Sequence, residues 1–224
     1  MLRGLLARQL VFTLFLAAPC AGLAQSARAH PHVWATVRSE VVFGPDHKIT
    51  GIRHAWTFDE FYTAMAVQGL DADGDGVYSK EELQPLAKVN VESLKEFDYF
   101  TFVRLGKDDK PLPLKEPVDY WVDYDGNLLT LHFTLPLATP LDPKEEQIAV
   151  DVYDPSFFVA FGFATETPVK LAGAAANCTA EIEKPDPQAE ADAKALSEAF
   201  FSQLGPNSNF GSQFAQTAIV KCTQ

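Results

Sequence analysis

Residues 71–82, "DADGDGVYSKEE", place oxygen-bearing side chains at the spacing of a twelve-position EF-hand loop. That loop binds calcium through positions 1, 3, 5, 7, 9 and 12, and a glycine at position 6 permits its sharp turn. The residues at these ligand positions are Asp71, Asp73, Asp75, Val77 (through its backbone carbonyl), Ser79 and Glu82. Gly76 occupies the turn, so the sequence predicts a Ca²⁺ site. The alternative is an acidic turn that binds nothing.

Position 8 of this loop is Tyr78, and no second loop of the same kind occurs in the sequence. We therefore expect a single loop that packs through Tyr78 on another part of the protein. Calcium sensors open a Met-rich groove, whereas Met65 is the only methionine after the N-terminal segment. The predicted site is consequently structural rather than regulatory.

A second candidate site lies in the stretch "AHPHVW", where His30 and His32 share one face of a strand. Imidazole nitrogens bind Ni²⁺, Co²⁺, Zn²⁺ or Cu²⁺, and cleavage before His30 would add an α-amine. Pro31 has no amide N–H and so prevents the planar amino-terminal site. His54 is the best candidate for a third ligand, with Asp59 and Glu60 as further options, although the alternation of His54 with Ile52 and Trp56 also fits burial. The alternative is a solvated strand edge, and we expect His47 and His132 to be exposed.

The N-terminal segment has the features of a secretory signal peptide. Arg3 and Arg8 precede the apolar run "LVFTLFLAA", and small residues follow it. Cleavage after Ala29 or after Ala24 fits the small-x-small rule, and strand-like sequence behind Ala29 favours the first. We therefore expect residues 1–29 to be removed and the protein to be periplasmic, with no other run long enough to span a membrane.

Charge narrows the classes of partner. The signal segment contains three of the 18 basic residues and no acidic ones, so 15 basic residues remain against 30 acidic ones. Such an excess repels nucleic acid and anionic membranes and attracts cations. No nucleophile elbow, HExxH motif or phosphate-binding loop occurs, so we do not expect an enzyme.

Hydrophobic periodicity predicts an α+β fold with one domain over residues 30–224. Alternation over residues 33–43 and 49–56 predicts a β-hairpin. Capping boxes at Thr57–Glu60 and Ser79–Glu82 predict an EF-hand-like helix-loop-helix insert over residues 57–97. Further alternating segments to the C-terminus predict an antiparallel sheet or sandwich, with one later helix over residues 186–205.

Two cysteines remain in the exported chain, Cys178 at the start of one predicted strand and Cys222 at the end of the last. An even count in an exported protein indicates a disulfide. Closing a loop of about 45 residues is worth roughly 3–4 kcal/mol in the chain-entropy description. The alternative is two buried free thiols.

Six stretches of the chain together resemble a bacterial periplasmic family, domain of unknown function one-thousand-seven. They are "AHPHVW", "GIRHAWTFDEFY", "DADGDG", "NVESLKEFDYFTF", "FTLPLATPLDP" and "VYDPSFFVAF". The family is described as the periplasmic component of an uncharacterised ABC-type transport system, near nickel- or cobalt-type permeases. By matching motif, the resemblance carries His30, His32 and His54 over as family histidines and residues 71–82 as its acidic loop.

These observations favour a periplasmic binding or accessory protein of a metal transport system, with an inner-membrane permease as partner and a structural calcium site. The alternative is a calcium-stapled interaction module that docks on a permease without binding its substrate. The apolar stretch "YDPSFFVAFGF" would then supply a contact, although its pattern favours a core strand.

Overall fold

The alternating segments of the sequence form ten β-strands in the computed structural model, which describes residues 31–106, 108, 110–189, 196, 198–201, 203–204 and 208–223. The strands are β1 (Val33–Phe43), β2 (Ile49–Phe58), β3 (Thr101–Leu105), β4 (Val118–Tyr124), β5 (Leu129–Leu141), β6 (Ile148–Val152), β7 (Val159–Phe163), β8 (Val169–Ala172), β9 (Cys178–Glu183) and β10 (Thr217–Cys222). They pair into two sheets, so the predicted α+β class is confirmed.

The larger sheet has the order β4-β5-β2-β1-β7. On the same edge of β1, β7 pairs with its first half and β8 with its second half. The predicted hairpin of β1 and β2 is present, and residues along β1 alternate between buried and exposed as the sequence pattern requires. Both β7 and β8 run parallel to β1. The expectation of a purely antiparallel sheet was therefore wrong, because the chain crosses over through β6 before it returns to the edge of β1.

The smaller sheet has the order β3-β6-β10-β9, with antiparallel pairing throughout. Cys178 and Cys222 are directly opposite each other in the β9–β10 register, and a disulfide joins them. The predicted disulfide is thus present, and it links the edge strand β9 to its neighbour β10.

The two sheets share an apolar core. Val41 and Ile52 of the larger sheet belong to one buried cluster with Val103, Ile148 and Val220 of the smaller sheet. Helix α2 (Lys80–Leu94) covers the rest of the larger sheet's inner face, where Leu83, Ala87 and Val91 pack with strand residues such as Phe133. The spacing of those three helix residues gives α2 the apolar stripe that this packing needs.

A helix–loop–helix follows β2. Helix α1 (Glu60–Ala66) and α2 flank residues 71–82, and a 3₁₀ segment (Lys95–Phe100) continues α2 into β3. The predicted cap at Thr57 was wrong, because Thr57 still pairs with Thr36 in the sheet. Asp59 caps α1 instead, and its carboxylate accepts a hydrogen bond from the Tyr62 N–H at 2.9 Å. The helical region consequently begins at Glu60 rather than at residue 57.

Two predictions lie outside the described residues. One is the signal peptide over residues 1–29, and the other is the middle of the later helix predicted over residues 186–205. The described part of that region contains the short helix α3 (Glu198–Phe201), which a second 3₁₀ turn (Phe210–Phe214) follows. Within the described residues, every helix is too short or too polar to cross a membrane.

Candidate metal centre

The acidic loop, residues 71–82, is anchored at its C-terminal end by a complete capping box. The Ser79 hydroxyl accepts a hydrogen bond from the Glu82 N–H at 3.3 Å, and the Glu82 carboxylate accepts one from the Ser79 N–H at 2.9 Å. Ser and Glu three residues apart satisfy two of the amide groups that a helix leaves unpaired at its start. This cap was predicted, and it fixes Glu82 at the mouth of the loop.

The first half of the loop is organised around the Asp71 carboxylate. Its Oδ1 accepts hydrogen bonds from the N–H groups of Gly74 and Asp75, at 2.8 and 3.1 Å. Its Oδ2 accepts one from the Gly76 N–H at 3.0 Å. Gly74 and Gly76 have φ values of +75° and +80°, a conformation that costs glycine little and other residues more. The turn that Gly76 was predicted to allow is therefore present.

Three carboxylates converge inside this turn. Asp71, Asp73 and Glu82 each offer an oxygen, and these three oxygens all lie within 4.8 Å of one another. Glu82 reaches across the loop, because its Oε1 also accepts a hydrogen bond from the Ala72 N–H at 2.7 Å. The Ser79 N–H, and then the Ser79 hydroxyl, lower the pKa of the Glu82 carboxyl below its usual value. The group is held as an anion, which is the form that binds a cation.

The other predicted ligands line the same loop without joining the cluster. Asp75 Oδ1 accepts a hydrogen bond from the Val77 N–H at 2.7 Å, and the Ser79 hydroxyl donates to Glu82 Oε2 at 2.8 Å. Val77 is exposed, so its backbone carbonyl lies in a solvent-facing segment. Oxygen donors alone, with three of them ionised, suit a hard divalent cation such as Ca²⁺ rather than a soft metal.

The loop is attached to the larger sheet through its aromatic residue. The Tyr78 ring meets the Tyr124 ring edge-to-face, with centroids 5.0 Å apart. Helix α1 is tied to the same hairpin, because the Thr63 hydroxyl accepts a hydrogen bond from the Leu129 N–H at 3.1 Å. Tyr62 also donates to Asn90 at 3.1 Å, which links α1 to α2. Tyr78 thus packs on another part of the protein, as its position in a single loop predicted.

His54 lies on the inner face of the larger sheet and is 1% exposed. Its Nδ1 is 2.9 Å from the Ser39 hydroxyl, and its Nε2 is 3.2 Å from the Thr101 hydroxyl. Thr101 donates its own proton to the Tyr99 carbonyl, so it accepts from His54 Nε2–H, and Ser39 donates to Nδ1. Burial lowers the pKa of His54 to about 3, so the ring is neutral.

The proposed grouping of His54 with His32 was wrong. Ser39 is the cross-strand partner of His54, and His32 lies seven positions before Ser39 along the chain. That separation corresponds to about 23 Å of extended strand. His32 lies on the outer face and stacks on Phe158, with ring centroids 4.7 Å apart, while His30 lies outside the described residues. The register of the hairpin therefore keeps His32 and His54 apart.

Three residues with structural roles were missed from the sequence. Ser39 and Thr101, which hold His54, come from β1 and β3 and are brought together only by the packing of the two sheets. Asp154 is 3% exposed and accepts hydrogen bonds from Ser156, Phe158 and Val159. The Asp-Pro-Ser sequence at residues 154–156 is a recognisable turn signal, from which the role of Asp154 could have been predicted.

The fold and site define an α+β protein of two β-sheets with an acidic loop between two helices. The chain belongs to the family described as "Protein of unknown function (DUF1007)", whose model matches residues 15–222. An uncharacterised protein of Haemophilus influenzae is 25% identical over 196 residues, which is 87% of this chain and 91% of that protein. An uncharacterised 15.5 kDa protein in the trpE 3' region of Spirochaeta aurantia is 35% identical over 105 residues, or 47% of this chain and 73% of that protein.

Proposed function

We propose that this protein is a periplasmic calcium-binding accessory component of a divalent-metal transport system, and that residues 71–82 form an EF-hand-like calcium site. The observation that carries the calcium assignment is the convergence of the Asp71, Asp73 and Glu82 carboxylates within 4.8 Å. These are positions 1, 3 and 12 of the twelve-position loop, three of the positions that supply side-chain ligands to the ion. A cation would relieve the repulsion among them.

The role of the ion in this proposal is structural. Binding would join Asp71 and Asp73, at the start of the loop, to Glu82 in the first turn of α2. Tyr78 and Thr63 already connect the region to the β4–β5 hairpin. Calcium would therefore fix the helix pair on the sheet rather than open a groove, and extracellular sites of this type bind at roughly 10⁻⁴–10⁻³ M.

The test of the calcium assignment compares two aspartates with similar hydrogen bonds. Asp71→Asn removes a charge from the carboxylate cluster. Asp125→Asn is the matched control, because Asp125 also accepts turn hydrogen bonds, from Asn127 and Leu128, but lies in the β4–β5 turn. Calorimetric titration should give one calcium per chain for the wild type and for Asp125→Asn, with at least about tenfold weaker binding for Asp71→Asn. Equal affinities in all three proteins would contradict the assignment.

The transport part of the proposal is supported by the family resemblance and by the acidic charge of the chain, which attracts cations. It predicts that deleting the gene changes cellular Ni²⁺, Co²⁺, Zn²⁺ or Cu²⁺ content, measured by mass spectrometry, and that the wild-type gene restores it. The variant His32→Ala tests His32, the described histidine of the predicted transition-metal set that remains a candidate ligand. Unchanged content of all four metals after deletion would contradict a transport role.

A second candidate function is an interaction module that docks on a permease without binding its substrate. Two large apolar side chains of α1 favour it, since Phe61 is 70% exposed and Met65 is 55% exposed. Exposed apolar side chains clustered on one helix face mark contact surfaces. In this case Phe61→Ser with Met65→Ser should abolish complementation of the deletion while calcium affinity stays unchanged, whereas retained complementation would exclude this candidate.

A further inference from the structure

The outer face of the larger sheet carries a polar pocket that lies apart from the acidic loop. Its volume is about 410 Å³, and it is open on one side. The residues that line it and matter for its chemistry are Arg38, Glu40, Arg53, His132, Glu166 and Lys170. We name this the outer-face pocket.

The pocket exists because a small residue lies between two long ones. Arg38, Ala55 and His132 are direct cross-strand partners on β1, β2 and β5, so their side chains form one row on the same face. Arg38 and His132 are two strand spacings apart, about 10 Å, and the Ala55 methyl group between them leaves that gap unfilled. The row therefore forms a trough with a cationic side chain at one side and an imidazole at the other.

The His132 ring is held in place by its neighbours. Its Nε2 is 2.5 Å from Asp123 Oδ2, and the ring stacks on Trp121 with centroids 4.5 Å apart and an interplanar angle of 4°. With Nε2 engaged by Asp123, Nδ1 is the ring nitrogen that remains for a ligand. A histidine oriented by a carboxylate and an aromatic ring offers a fixed polar contact rather than a mobile one.

The charges of the pocket differ from those of the whole protein. It contains three basic residues, Arg38, Arg53 and Lys170, and two acidic ones, whereas the chain has 30 acidic residues against 18 basic ones. Arg53 forms an ion pair with Glu40. Among the described residues, Arg38, Lys170 and Glu166 have no side-chain hydrogen bond or ion pair, so two cationic groups and one carboxylate of the pocket are unpaired.

The positions of these two groups set the class of ligand. Lys170 is the cross-strand partner of Glu40, two residues along β1 from Arg38, so the Cα atoms of Arg38 and Lys170 are about 8 Å apart. At that separation both side chains can reach one small molecule, so the planar guanidinium can bind one carboxylate and the ammonium a second. The volume falls within the range of ligand pockets and exceeds the need of a single sulfate.

We propose that the outer-face pocket binds a small organic dicarboxylate through Arg38 and Lys170, with His132 forming the opposite wall of the pocket. This site is independent of the calcium loop, and its test is run both with calcium and with a chelator. The probe is succinate, and the neutral succinamide and the inorganic anion sulfate are the ligand controls.

Calorimetric titration of the purified chain should give succinate binding with a Kd between roughly 10 µM and 1 mM, with no detectable binding of succinamide. Arg38→Gln should weaken succinate binding at least about tenfold, and Lys170→Gln about threefold to tenfold. Lys221→Gln is the matched control, because Lys221 is an exposed lysine on β10 of the other sheet and should bind succinate like the wild type.

Three results would overturn the proposal. They are no heat of binding at about 10 mM succinate, sulfate binding as tight as succinate, and unchanged affinity in folded Arg38→Gln or Lys170→Gln. Circular dichroism of each variant establishes that it is folded. Because the titration is repeated in chelator, failure of the calcium site and failure of the outer-face pocket give different results.

Discussion

The acidic loop and His54 both carry atoms that bind metals, but the two regions treat charge in opposite ways. In the loop, exposed carboxylates converge, and hydrogen bonds lower the pKa of the Glu82 carboxyl. In the core, burial keeps His54 neutral, and two hydroxyl groups satisfy both of its ring nitrogens. The loop therefore has negative charge to share with a cation, whereas His54 has no lone pair left for one.

The difference shows what distinguishes a candidate metal site from a satisfied polar residue. Each ring nitrogen of His54 has one partner with the correct donor or acceptor character, so a metal bound to either nitrogen would break a buried hydrogen bond. The carboxylates of the loop accept hydrogen bonds from backbone N–H groups but still face one another. The presence of metal-ligating atoms does not distinguish the acidic loop from His54. The direction of their hydrogen bonds does.

The largest expected effect is the pH dependence that His54 gives to stability. Its pKa is about 3 in the folded protein and near 6.5 when unfolded, so the unfolded state binds more protons between these values. The contribution of His54 to the free energy of unfolding should be complete above pH 6.5. It should be lost as the pH drops toward 3, which lowers the free energy of unfolding by an amount of the order of 5 kcal/mol. Urea unfolding at a series of pH values measures it.

The variant His54→Gln isolates this contribution from the carboxylates that titrate in the same range. The difference in unfolding free energy between wild type and variant should change with pH across this window. A constant difference would show that His54 has the same pKa in the folded and the unfolded protein, and the description of the core would then be wrong.

The next effect comes from removing the ring. His54→Ala leaves a cavity and two hydroxyl groups with lost partners, so we expect a loss of about 3 kcal/mol in unfolding free energy. His132→Ala is the matched control on the other face of the sheet, where His132 and Asp123 form a partly exposed pair and the loss should stay below about 1 kcal/mol. Equal losses would contradict the distinction between the two faces. Urea unfolding at pH 7 gives both values.

The smallest effect concerns the attachment of the loop to the sheet. Tyr78 and Tyr124 meet edge-to-face at 5.0 Å, and such pairs contribute about 0.5–1.5 kcal/mol beyond their burial. A double-mutant cycle with Tyr78→Leu and Tyr124→Leu should give a coupling energy in that range from urea unfolding. A coupling energy of zero would mean that the loop is not fixed on the β4–β5 hairpin.

Local features of the fold and site could be predicted from the sequence because they depend on nearby residues. The cap at Ser79 and Glu82, the turn at Gly76 and the alternation of β1 each follow from spacing within a few residues. The paired cysteines were inferred from their number, and the β9–β10 register brings them together. The cap at Thr57 failed because β2 continues two residues further than its pattern indicated.

Features that depend on distant strands could not be predicted in this way. The parallel pairing of β7 with β1 depends on how the chain crosses between the sheets. The environment of His54 depends on Thr101 in the other sheet, and the row of Arg38, Ala55 and His132 depends on the register of three strands. Spacing along the chain contains none of this information, so the proposed histidine set combined residues that lie far apart.

The most direct test of the central claim is calcium titration of Glu82→Gln beside Glu81→Gln. Both substitutions remove one negative charge from the first turn of α2, but only Glu82 belongs to the carboxylate cluster. We predict one calcium per chain for the wild type and for Glu81→Gln, and at least about tenfold weaker binding for Glu82→Gln. Calcium affinity that is the same in both variants, or absent from the wild type, would contradict the assignment of residues 71–82 as a calcium site.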